Sequence, residues 1–348
     1  MDSQSVCMRK EDTCRAFPAC FVELPASAEG KRAAFYLAAE EYVARVLPEG
    51  NYLFTWVLSP TVVMGRNQVA ADEINLAFCR SEGIDVARRK SGGGCIYADT
   101  GNIMVSLITG AGAVEPLFAE YASCVAGGLR QLGAGVEVSG RNDIVLSDGG
   151  KICGNAFYHL PKRNIVHGTM LYDTDLRLMT GALTPDAGKL RSSGVKSVRS
   201  RIGLLKDKLD IGVEQLRAEL RNILCDRTIR LDEDDIQYIK AMETDYYDPE
   251  YLFGKAESTH FACSRRIEGC GKVELHFALK NNIIEKVGVH GDFFEQKSAS
   301  EAFTEAFSGV SLTYGGIKEA ITTWHPEISI RGLDAESLVA MITEKISD

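Results

Sequence analysis

No apolar run in this chain approaches the roughly 18 residues needed to cross a bilayer. Its first seventeen residues, MDSQSVCMRKEDTCRAF, set Arg9 and Lys10 directly before Glu11 and Asp12, with no apolar stretch of the signal-peptide kind. Neither a membrane span nor a secretory leader is expected, and the expected compartment is the cytoplasm. Positive charge is in deficit: 39 Lys and Arg against 48 Asp and Glu give a net charge of −9. The whole-molecule field therefore disfavours nucleic acid, and an anionic ligand must be held by a local basic cluster. Ten cysteines are present, but C-x-x-C pairs and Cys/His sets of zinc spacing are missing. Cys79, Cys124 and Cys225 fall in apolar helical patterns, where a thiol acts as a small hydrophobe, and all ten are expected as reduced thiols. Internal repeats and low-complexity tracts are also missing. What remains is an ordinary globular balance, 45% hydrophobic and 25% charged over 348 residues, enough for two domains with cores of useful size.

Residues 1–17 read as a polar extension. Helical spacing predicts helices over 31–47, with Phe35, Ala38, Ala39, Tyr42 and Val46 on one face, and over 72–82, 116–132 and 213–224. Strands are predicted at 20–24, 52–58, 61–64 and 84–89. Asn102–Thr109 is apolar on both faces and so a central strand. Strands 143–147, 151–160 and 165–172 form a hairpin series turned by Asp148-Gly149-Gly150 and Pro161–Asn164. On the middle strand, the two-residue period puts Lys151, Cys153, Asn155 and Phe157 on one face. Residues 184–203 read as a mobile basic loop, and the acidic stretch 232–250 as surface or linker. A domain boundary is expected near 250, giving units 18–250 and 251–348. The second carries strands at 271–279 and 283–289 and helices near 298–307 and 334–346.

Four segments could carry chemistry. Arg88-Arg89-Lys90-Ser91-Gly92-Gly93-Gly94 sets three basic residues before three glycines. Glycines let backbone N–H groups line an anion site, and a guanidinium can grip a carboxylate or phosphate. A tight turn beside a basic patch is equally compatible, and the segment is not a G-x-x-x-x-G-K-[S/T] loop. Asp143 and Lys151 bracket a hairpin turn. Lys151 could neutralise a phosphate, and Asp143 or Asn142 could hold hydrated Mg2+; a cross-strand ion pair is the commoner use. His167-Gly168-Thr169 faces Gly154 and Ala156 as small residues beside a groove, although an isolated strand histidine is more often structural. Lys189, Arg191, Lys196, Arg199 and Arg201 form either a solvated loop or a lid over a nucleotide.

In this order, ARRKSGGGCIYADTGN (87–102), SGRNDIVL (139–146), KICGNAFY (151–158), HGTMLY (167–172) and GVKSVRSRI (194–202) resemble the lipoate–protein ligase A family. FYLAAEEYV (35–43), TVVMGRNQ (61–68) and GKVELHFALKNNIIEKVGV (271–289) extend the resemblance over nearly the whole chain after residue 20. It implies an α+β fold: a mostly antiparallel sheet with flanking helices, of the biotin/lipoate ligase type and related to class II aminoacyl-tRNA synthetases, plus a small α+β C-terminal accessory domain. It further implies ATP-dependent activation of lipoic acid as lipoyl-AMP. The acyl group then passes to a lysine of a lipoyl domain, in a 2-oxoacid dehydrogenase acyltransferase subunit or the glycine-cleavage H protein. Carried over by position, Arg89, Gly94, Cys95, Ile96, Tyr97, Asn142, Asp143 and Lys151 would surround the nucleotide. Arg89, Ser91, Gly93, Gly94, Lys151, Gly154, Ala156, His167 and Thr169 would surround lipoate. Lys151 would be the catalytic charge bridging lipoate and the α-phosphate, and Lys189, Lys196, Arg199 and Arg201 would lie on the adenylate loop.

Two positions depart from the family's pattern. Ala98 stands where His usually precedes the Asp equivalent to Asp99, and Tyr36 stands where Asn is frequent. Within the superfamily, ATP-independent octanoyl or lipoyl transferases use a cysteine upstream of the pocket lysine, and residues 134–150 contain none. Cys153 reads as pocket wall. A non-catalytic lipoate- or lipoyl-domain-binding protein is the other alternative, and a biotin ligase lacks support because its Gly-Arg-rich loop is missing.

Overall fold

The computed structural model describes residues 19–112, 114–140, 143–183, 202–253 and 260–346. The N-terminal extension, Asn142 and the loop residues Lys189, Lys196, Arg199 and Arg201 lie outside them. In chain order the first unit contains β1 (Ala19–Glu23), α1 (Ala33–Val46), β2 (Tyr52–Trp56), β3 (Thr61–Met64), β4 (Asp85–Arg88), β5 (Ile96–Ala98), β6 (Asn102–Gly110), α2 (Val114–Gln131), β7 (Val136–Ser139), β8 (Asp143–Leu146), β9 (Lys151–Leu160), β10 (Arg163–Leu171), α3 (Val213–Leu224), β11 (Cys225–Arg230) and α4 (Glu233–Glu243). Eight strands form one sheet in the order β11-β1-β2-β6-β10-β9-β8-β7. It is antiparallel except where β1 lies parallel to β11 and β2. A second sheet, β4-β3-β5, stands beside it.

β6 is the inner strand that its two-faced apolarity predicted. Met104 and Ile108 join the core under α1, whereas Ile103, Val105 and Leu107 join the core under α2 and α3. α1 departs from a one-face helix. Its residues are buried from Ala33 to Ala44, including Glu40 and Glu41, whereas Val46 is 56% exposed. The acidic stretch from 232, expected as surface or linker, lies at the surface and is helical: Asp232, Glu233 and Asp234 are exposed. Asp232 and Asp235 form a capping box, and Glu233 and Asp234 lie in a first turn that favours negative charge. Ile236 and Ile239 then bury against α1.

The division expected at 250/251 falls inside a short helix, Pro249–Phe253. Tyr251 Oη donates to Arg88 O, and Leu252 O accepts from Arg88 Nε, so the packing of the large unit continues through it. The second unit is an antiparallel sheet, β12 (Phe261–Ile267), β13 (Gly271–Lys280) and β14 (Ile283–Gly291), covered by α5 (Ala299–Phe307), α6 (Tyr314–Trp324) and α7 (Ala335–Thr343). Asn281 and Asn282 turn its β13–β14 hairpin at φ 52° and 61°, the left-handed conformation that asparagine tolerates best after glycine. Among the described residues Cys20, Cys79, Cys95, Cys153, Cys225, Cys263 and Cys270 are thiols outside any disulfide. Among the described residues no helix is long and apolar enough to cross a membrane.

Candidate active site

A cavity of about 350 Å³ opens over β6, β9 and β10 beneath the glycine-rich segment. One side is apolar, with Leu37, Trp56, Val63 and Met104. The other is polar, with Lys151 and Thr169 and, from the second unit, Asp292. Gly93, Gly94, Cys95 and Ile96 form the roof, and Gly154, Ala156, His167 and Gly168 the floor.

Lys151 enters this cavity because β9 carries a bulge. Val145 pairs with Lys151 but Ile144 pairs with Cys153, leaving Ile152 as the extra residue. Ile152 and Cys153 both turn into the core, and Lys151 shares the cavity face with Gly154 and Ala156. The simple two-residue period had put it with Cys153 and Asn155. The Lys151 Nζ lies 2.8 Å from Asp143 Oδ1, and a Cβ at Gly154 would meet Nζ at 2.8 Å. Glycine at 154 thus makes room for the ammonium. Gly168 is required in the same way, since a Cβ there would lie 2.0 Å from Asn155 Oδ1.

The basic triplet before the glycines serves the scaffold. Arg88 donates Nη1 to Gly65 O, Arg66 O and Gln68 O. Arg89 donates Nη1 to Val63 O, Nη2 to Gly92 O and Gly94 O, and Nε to Ser91 Oγ. Burial lowers the Arg89 pKa to about 10, still far above neutrality, so a cation pins the glycine loop from beneath. Lys90 pairs with Glu41 at 2.6 Å and lies over the Tyr246 ring. Arg89 still borders the cavity, but in this structure its donors are directed at carbonyl and hydroxyl oxygens.

His167 belongs to a buried chain of polar groups. Its Nε2 is 2.7 Å from Ser91 Oγ and its Nδ1 2.9 Å from Glu40 Oε2. Ser106 Oγ donates to Glu40 Oε1 and accepts from Trp56 Nε1 at 2.9 Å. The Trp56 ring is stacked on Tyr36 at 4.8 Å, and Tyr36 Oη donates to Ala28 O. Tyr36, the departure at the position where asparagine is frequent, thus braces the cavity's tryptophan from behind. Glu40, Trp56, Ser106 and Met104 were not singled out in the sequence. The one visible signal was Glu40-Glu41 inside an otherwise apolar helix.

Of the expected site residues, Arg89, Gly93, Gly94, Cys95, Ile96, Lys151, Gly154, Ala156, His167 and Thr169 border the cavity. Ser91 reaches it through His167. Asp143 stands behind Lys151. Tyr97 alternates to the far side of β5 and packs with Val62, Met64 and Leu171.

Residues 32–224 match the lipoyl protein ligase A/B catalytic domain. The chain belongs to the lipoyl protein ligase A/B family. Residues 258–342 of this family member match a second model, the bacterial lipoate protein ligase C-terminus. The chain is 35% identical over 277 residues to the lipoate-protein ligase LplJ of Bacillus subtilis, covering 76% of this chain and 83% of that one. In fold it is similar to LipL1 of P. falciparum, solved in complex with lipoate, at TM-score 0.73 and 20% identity over 92% of this chain and 97% of that one. It is also similar to a lipoate-protein ligase A bound with ATP, at TM-score 0.58 and 22% identity over 68% and 99%. Both likenesses bear out the α+β fold expected of the family.

Family membership leaves open whether a cysteine carries the acyl group. Burial pushes the Cys153 thiol up to about 12, so it stays protonated and poorly nucleophilic at neutral pH. Cys153→Ala and Cys95→Ser are each expected to keep most activity. Complete loss together with an acyl-thioester trapped on the missing residue's counterpart in the parent protein would overturn this.

Proposed function

We propose that this chain is an ATP-dependent lipoate–protein ligase, which makes lipoyl-AMP and transfers the lipoyl group to a lysine of an apo lipoyl domain. One observation carries the reading: a single cavity has an apolar end at Leu37, Trp56 and Met104 and, at its other end, one ammonium aimed inward from Lys151. The apolar end suits the dithiolane and its alkyl chain. The ammonium suits the point where carboxylate and α-phosphate meet. Lipoate's carboxylate oxygen attacks the α-phosphorus, the bond to the β-phosphate bridging oxygen breaks, and pyrophosphate leaves. Lys151 and the N–H groups of the glycine loop stabilise the charge that builds on the α-phosphate. The lysine amine of the acceptor then attacks the mixed anhydride, and AMP leaves. Asp143 is a single carboxylate, a donor set that suits Mg2+ only when phosphate oxygens complete the shell. In that arrangement it would hold the ion beside Lys151, and the ion would supply further charge neutralisation.

The accessory unit and the protonated Cys153 favour this over an ATP-independent transferase. The H protein and acyltransferase subunits of 2-oxoacid dehydrogenases are the acceptors we propose. Incubation with lipoate, ATP, Mg2+ and an apo lipoyl domain, followed by intact mass, tests the reading. A lipoyl adduct that forms only with ATP is expected. A modified acceptor without ATP, starting from an acyl thioester donor, would make the protein a transferase.

A further inference from the structure

We infer that Phe294, a residue of the accessory unit, is the water seal of the catalytic cavity. The segment after β14 leaves its own domain and lies on the glycine loop. Gly93 N donates to Phe293 O at 2.9 Å, Gly291 N donates to Asn67 O at 2.7 Å, and Arg66 pairs with Glu295 at 3.3 Å. This contact needs glycine beneath it, since a Cβ at Gly92 would lie 2.4 Å from Phe293 O. Phe294 is only 4% exposed and packs in the core of the catalytic unit, not in the core of its own.

Its position separates two spaces. Phe294 borders the catalytic cavity of about 350 Å³. Its ring stacks on Phe157 at 5.4 Å and 28°, and Phe157 borders a second, outer pocket of about 360 Å³ lined by polar groups of both units, among them Lys90, Ser91 and Glu295. Two stacked rings therefore stand between the reaction space and the polar-lined outer pocket. The inference rests on the ligase reading, which gives the partition its purpose. Water can attack the acyl carbon of the mixed anhydride, breaking its bond to the phosphate oxygen and returning lipoate and AMP. Excluding water is what couples ATP use to acylation.

Removing the Phe294 side chain thins the partition to the Phe157 ring alone and opens the reaction space toward the outer pocket. The series Phe294→Leu, Phe294→Val and Phe294→Ala tests this in the full-length protein, with lipoate-dependent AMP release and acylated lipoyl domain measured in the same samples. We expect the ratio of AMP released to acceptor acylated to rise as the side chain shrinks, near the parent value for Leu and several-fold above it for Ala. A merely structural role would lower both products together and leave the ratio alone. If the Ala variant does not fold, Val carries the comparison. A flat ratio across the folded variants overturns the inference. No lipoate-dependent AMP from the parent protein itself would instead overturn the ligase reading.

Discussion

Replacing Lys151 by alanine is expected to slow lipoate-dependent pyrophosphate release by about 10²–10³-fold, the usual cost of losing one preorganised charge partner in the transition state. The fold should hardly change. The Lys151 side chain is 42% exposed and Asp143 32% exposed, so their ion pair contributes little to stability and Asp143 is rehydrated when it is lost. The effect belongs to position as much as to charge. The bulge at Ile152 turns Lys151 onto the cavity face, and the missing Cβ of Gly154 leaves room for its ammonium. Arginine should therefore rescue poorly, because a planar fork is wider than an ammonium and Gly154 gives space for a point charge. Pyrophosphate release at the parent rate from a folded Lys151→Ala variant would remove Lys151 from the chemistry.

How far the site could be read from sequence follows from the range of the interactions that build it. The hairpins β8–β9–β10 were legible, because one turn carries two glycines and the other a proline, and their strands alternate locally. The β9 bulge was not, since one extra residue is fixed only by pairing with β8, and it reversed the face on which Lys151 lies relative to Cys153. Arg88, Arg89 and Lys90 were legible as cations beside glycines, but not their partners, which are the carbonyls of Val63, Gly65, Arg66, Gln68, Gly92, Gly94 and Leu252, the Ser91 hydroxyl and the carboxylate of Glu41. Composition shows charge and says nothing of which oxygen satisfies it. The acidic stretch 232–250 reads as surface or linker; its first residues are exposed as expected, but they also cap a helix N-terminus, which their acidity alone does not reveal. Phe294 lies beyond local reading altogether: its partners Gly93 and Phe157 come from another domain.

The second large effect is expected at Glu40. Its carboxylate is 3% exposed and accepts from Ser106 Oγ on one oxygen while His167 Nδ1 approaches the other. Glu40→Ala leaves both groups buried without that partner, a loss of about 3 kcal/mol on the scale of two unsatisfied polar groups. For a unit of this size that lowers Tm by roughly 6–12 °C. The consequence reaches the cavity from two directions, since Ser106 holds Trp56 and His167 meets Ser91, which in turn meets Arg89. The apolar wall and the glycine loop should both loosen, raising the KM for lipoate more than the KM for ATP. Glu40→Gln should do much less. Its amide oxygen can accept from Ser106, its amide nitrogen can donate to His167 Nδ1, and the imidazole then carries its proton on Nε2 toward Ser91. Thermal melts and lipoate titrations of the two variants are the measurement. An alanine variant as stable as the parent, with an unchanged KM for lipoate, would show that the chain from Trp56 to Arg89 is a set of separate contacts rather than one support.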